Sequence, residues 1–213
     1  MKKTQQPFGV FSPLLGSGPG YLNLLNLDPL RSKLAVSRVI KCCHSSSDPF
    51  LDIARLLDEG NWRPHLVAAV ALSVLGYDCA AFTKLWAAFD AGSWVTPQLA
   101  VVAYVRDPAF LGHARVRLEA RCPIDVSRVT QSSSLDRHFA LGPAGTTERS
   151  AKAASALTYL LNLLGPSEWL TAELASPDLI ALLAGDRDHA SAIAESWLVS
   201  LKTILNSQAI KTD

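Results

Sequence analysis

The chain has 213 residues, 49% hydrophobic and 18% charged, enough to bury a sizeable core as one large domain or two small ones, which excludes chain-wide disorder. A formal net charge of +1 supplies no global field for nucleic acid or an anionic membrane surface, so any such binding would have to come from a local patch. Four cysteines without a CxxC pair or framework spacing suit reduced thiols in a cytoplasm.

Residues 1–27 read as an irregular arm broken by Pro7, Pro13 and Pro19, with apolar anchors at Phe8, Phe11, Leu14, Leu15 and Tyr21. Gln5, Gln6, Pro7, Gly9 and Pro13 interrupt what a secretory signal would need as a continuous apolar stretch. Asp28-Pro29 predicts an N-cap followed by proline at the first helical position, with Leu30, Leu34, Val36 and Ile40 carrying a helix to about Cys42. Asp48-Pro49 opens the next helix in the same way. Its apolar stripe is Phe50, Ile53, Leu56 and Leu57, its polar side Asp52, Arg55, Asp58 and Glu59. Pro64 starts a helix that is apolar on nearly every face up to Gly76. Its longest apolar run, Leu66 to Leu75, is too short to span a bilayer.

The frame Phe50 to Trp62 (FLDIARLLDEGNW) returns 32 residues later as Phe82 to Trp94 (FTKLWAAFDAGSW). Asp78 caps this second copy, Thr96-Pro97 is expected to cap QLAVVAYV, and FLGHAR after Asp107-Pro108 echoes FLDIAR as a fading third unit. All-apolar helices need cover on more than one side, so 65–75 and 98–105 should form an inner layer and 50–59 and 79–91 an outer one. A polar stretch follows Cys122. Thr146 or Thr147 is expected to cap a helix to about Leu164, Ser167 and Ser176 to start two shorter ones, and Gly185-Asp186 to lead into a last helix through Trp197 and Leu205.

The paired helices, the period near 32 and the proline opening the second helix resemble the HEAT-like α-solenoids over residues 48–121, with a repeat shorter than is usual in that family. The expected fold is therefore all-α: a short HEAT-like helical-repeat solenoid with C-terminal capping helices. Its parts are an arm at 1–27, a repeat region at 28–121, a long polar loop at 122–146 and a helical group at 147–208, in one compact domain. The resemblance implies a binding scaffold more than a catalyst.

Trp62 and Trp94 occupy equivalent places between a helix-ending glycine and the next helix. Each could staple its own junction, or the two could act with Arg63 as partner-binding anchors, a reading that low exposure of both rings would remove. Arg106, Arg115, Arg117, Arg121, Arg128 and Arg137 stand against four acids, and Arg115, Arg128 and Arg137 are candidates for pairing with an acidic partner. The histidines form no HExxH or Cys/His ladder, and adjacent Cys42, Cys43 and His44 diverge around a helix, so no metal and no cofactor are expected. Ser132-Ser133-Ser134-Leu135-Asp136-Arg137-His138 lacks the GxSxG elbow, and no catalytic residue is assigned.

The leading expectation is a non-enzymatic, cytoplasmic protein-binding module without a membrane partner, similar to bacterial immunity or antitoxin proteins that block a toxin. The alternatives are an enzyme with its site between repeats and C-terminal helices, near Cys122, Asp136 and His138, and nucleic-acid binding through the arginine-bearing face.

Overall fold

The computed structural model describes residues 8–16, 19–125, 127 and 143–209. Regular structure among them is entirely helical. Two 3-10 turns, Gly9–Phe11 and Pro19–Leu24, flank α1 (Ser12–Gly16). Then come α2 (Lys33–Ser45), α3 (Pro49–Leu57), α4 (Trp62–Leu75), α5 (Cys79–Asp90), α6 (Thr96–Arg106) and α7 (Phe110–Glu119). The C-terminal group is α8 (Pro143–Asn162), α9 (Glu168–Leu174), α10 (Pro177–Leu183) and α11 (Ala190–Ala209).

The two copies of the frame start alike because a carboxylate takes up an orphan backbone donor at each helix start. Asp48 accepts from the Leu51 N–H and Asp78 from the Ala81 N–H. The second copy ends in a Schellman turn, with Gly92 at φ +68° and bonds from Gly92 N–H to Phe89 O and from Ser93 N–H to Ala88 O. A side chain at Gly92 would also meet Arg149 Cδ at 3.0 Å.

α3 lies against α5, α4 against α6, and each outer helix packs on the inner helix that follows it. Pro64 through Ser73 and Thr96 through Ala103 are buried without interruption, as expected of helices with no polar face. Their cover comes from elsewhere in the chain. α8 and α11 pack on each other and on α6, while α2 and the second 3-10 turn pack on α4. Trp197 of α11 ties the arm to this core by donating its indole N–H to Leu24 O at 3.1 Å.

Five local expectations need correction. Thr96 does not cap α6 but is its first residue, with Val95 at the N-cap, and its hydroxyl donates back to Ser93 O. Asp28 accepts from the N–H groups of Leu30 and Arg31, but it caps a turn and the helix begins only at Lys33. The buried stripe of α2 is Ala35, Val36, Val39 and Cys43, leaving Leu30 89% and Leu34 64% exposed. Asp52, assigned to the polar side of α3, is buried: it accepts from Ser46 Oγ at 2.8 Å and from Arg55 Nη1 at 3.1 Å, and packs on the Gly9 backbone. α8 begins at Pro143 and not at Thr146 or Thr147, because proline suits the first helical turn, where its missing N–H is not needed.

Candidate functional site

Side-by-side packing of α3 with α5 and α4 with α6 brings the two helix junctions, and so the two tryptophans, together. Trp62 is the first residue of α4, after Asn61, whose side-chain oxygen accepts from the Arg63 N–H at 3.0 Å. Trp94 sits in the turn between α5 and α6. The ring centroids are 5.0 Å apart and tilted by 50°, and Tyr21 of the arm meets Trp62 edge-on at 5.8 Å. The three rings form a continuous ridge of tilted and edge contacts.

His65 locks the two junctions to each other. Its Nε2 lies 2.6 Å from Glu59 O and its Nδ1 lies 2.9 Å from Ser93 Oγ. A carbonyl only accepts, so the neutral ring carries its proton on Nε2, and Nδ1 accepts from the Ser93 hydroxyl. Burial pushes this imidazole down to about 4, against the opposing pull of the Glu59 and Leu57 carbonyls. The clamp is therefore an uncharged one at neutral pH.

Two cations border the ridge. Arg63 is exposed; it donates Nε–H to the Tyr21 hydroxyl at 2.9 Å, and its guanidinium carbon lies 5.3 Å from the Trp62 ring centre. Its two terminal nitrogens have no hydrogen-bond partner among the described residues. Lys152 of α8 is buried, stacks at 5.1 Å over Trp94 and pairs with Asp188 at 2.8 Å. Trp94 remains 51% exposed despite these neighbours, and Trp62 is half-buried. The ridge thus presents one large rigid aromatic surface next to an open guanidinium fork.

The other arginines are differently placed. Arg115 pairs with Glu119 at 2.9 Å and stacks on Trp169, whose indole N–H also donates to Glu119. Arg117 grips both oxygens of Asp90, at 2.7 and 2.8 Å, and lies 4.2 Å over Trp86. Arg121 pairs with Glu173 and donates to Ser176 Oγ, and Arg106 donates twice to Ser73 O. Arg106 thus fastens α6 to α4, while Arg115, Arg117 and Arg121 fasten α7 and the turn after it to their neighbours. Arg128, Arg137, Asp136 and His138 lie outside the described residues. Cys122 is buried, and burial together with the nearby Asp90 charge pushes its thiol up to about 12.

The described surface includes two concavities. One of about 250 Å³ lies beside the Lys152–Asp188 pair and is lined by Leu25, His189, Ile193, Ser196 and Trp197 among others. A shallower one of about 580 Å³ on α9 offers Glu168 as its single ionisable group. No group of three or more His, Cys, Asp or Glu among the described residues could hold a metal ion, and no helix there is long and apolar enough to cross a membrane.

Sequence reasoning selected Trp62, Arg63 and Trp94, and the fold brings these three together. It missed Tyr21, taken only as a core anchor, and Lys152, which reaches Trp94 from a helix 58 residues further along the chain. The spare tyrosine hydroxyl was the one available signal for the first; nothing in the local pattern marked the second. Comparison with protein-family models, with curated proteins and with solved structures finds no match to this chain.

Proposed function

We propose that the protein is a non-enzymatic protein-binding module: a short HEAT-like stack of helical pairs, capped by its C-terminal helices, that holds a partner through the Tyr21–Trp62–Trp94 ridge. The observation that supports this reading best is Trp94 itself. A tryptophan half open to solvent, yet fixed between Trp62 and Lys152, costs little further ordering on binding and presents the side chain most enriched at interface hot spots. Arg63 supplies the adjacent polar contact, a fork suited to a carboxylate of the partner.

In its narrowest form the proposal is an immunity or antitoxin-type protein whose partner is a toxin blocked by occupation of its surface. Tagged full-length protein is used to capture partners from cells of the source, beside Trp94→Ala and Arg63→Ala controls, and is co-expressed with the product of the neighbouring gene. The reading predicts a stoichiometric complex retained by the wild type and lost with Trp94→Ala. Capture that is insensitive to both substitutions, or no complex at all, would contradict it. A toxic neighbour neutralised on co-expression would support the narrow form.

A further inference from the structure

Charge is unevenly divided along this chain. The first 47 residues carry six basic residues, Lys2, Lys3, Arg31, Lys33, Arg38 and Lys41, against the single acid Asp28, whereas residues 48–213 carry fourteen against eighteen. The near-neutral total therefore hides a net +5 segment followed by a net −4 one. α2 and the turn before it gather the positive end on one surface. Leu34, Arg38 and Lys41 succeed each other at steps of four and three residues as a single stripe of α2, Arg31 stands in the turn before it, and all are exposed with Lys33 beside them. Among the described residues none of these four cations makes an ion pair. The elements on which α2 packs most, α4 and the two 3-10 turns, contain no acid; the Asp28 carboxylate is engaged with the Leu30 and Arg31 N–H groups, and Asp52, at the far end of α2, with Ser46 and Arg55.

A solvated cap on the end of a helical stack needs a polar face, but neither a single sign of charge nor two bare leucines. Here Leu30 and Leu34 stand open beside the cations. We propose that this face attaches the protein peripherally to a bilayer containing anionic phospholipid, with Arg31, Lys33, Arg38 and Lys41 on headgroup phosphates and Leu30 and Leu34 dipping below them. A bilayer accepts leucine without a shaped pocket, whereas leucine is under-represented among protein hot spots. α2 also offers no Phe, Tyr or Trp on which a base could stack. The attachment departs from the expectation of no membrane partner and is a local patch of the kind that the near-neutral total leaves room for.

Sedimentation of the full chain with phosphatidylcholine vesicles, with and without phosphatidylserine, tests this. Binding should be at least about tenfold stronger with phosphatidylserine and should fall as salt rises. Arg38→Glu with Lys41→Glu should weaken it at least about tenfold, and Leu30→Ser with Leu34→Ser severalfold, both with unchanged circular dichroism. Trp94→Ala should leave vesicle binding intact, so failure here is separable from failure of the ridge as a partner site. Equal binding to both vesicles, no binding at low salt, indifference to charge reversal, or a tighter grip on a mixed-sequence DNA duplex than on the anionic vesicles would each overturn the proposal.

Discussion

Acidification should loosen the junction that carries the ridge, and His65 sets how much. The unfolded imidazole takes up its proton near 6.5, whereas the buried one resists until about 4. The unfolded state therefore binds more protons between those limits. The stabilisation is complete above the upper limit and drains away as pH falls toward the lower. The gap corresponds to roughly 3 kcal/mol in full, of which roughly 2 kcal/mol is lost by about pH 5. Urea unfolding at about pH 7.5 and about pH 5 measures this, with His65→Gln as the reference because a carboxamide does not titrate there. Subtracting the two pH responses removes the carboxylates common to both proteins. A wild type that loses no more stability than His65→Gln over that interval would refute the assignment of His65 as a buried neutral clamp.

Three further outcomes follow from particular contacts. Gly9 has φ +51°, and a Cβ there would lie 2.5 Å from Asp52 Oδ1, so Gly9→Ala should cost about 2 kcal/mol and speed proteolysis of the arm. Arg117→Ala removes the two-pronged grip on Asp90 and the stacking over Trp86; thermal unfolding should show a loss of about 2 kcal/mol, far more than for Arg115→Ala at its exposed pair. Cys79 is exposed, while burial pushes the Cys43 and Cys122 thiols up to about 12. A thiol-disulfide reagent at about pH 8 should modify Cys79 first and reach Cys43 and Cys122 only on unfolding, as peptide mapping of the adducts would show.

The all-helical architecture was legible because its signals are local. Asp48 and Asp78 act as caps within three residues of themselves, Gly92 ends α5 by its own conformation, and the two all-apolar runs become the buried helices. The equivalent places of Trp62 and Trp94 in the two copies of the frame were legible; that their rings meet follows from the packing of α3 on α5 and α4 on α6. Signals that depend on distant chain were not legible. Asp52 reads as a surface acid until the arm lays Gly9 across it. Leu30 and Leu34 fit a helical stripe, but the helix starts at Lys33 and buries a different face. Lys152 looks like a solvated cation on a polar helix start, and only the docking of α8 sets it between Trp94 and Asp188.

The ridge is the centre of this account, and the affinity of the captured partner for wild type and Trp94→Ala tests it most directly. Titration calorimetry of the purified complex should show at least about a thirtyfold loss of affinity, the scale of a hot-spot anchor, while the unfolding midpoint of the free variant stays within a few degrees of wild type. Equal affinity for the two proteins would mean that the tryptophan pair only staples its own helix junctions and that the partner binds elsewhere.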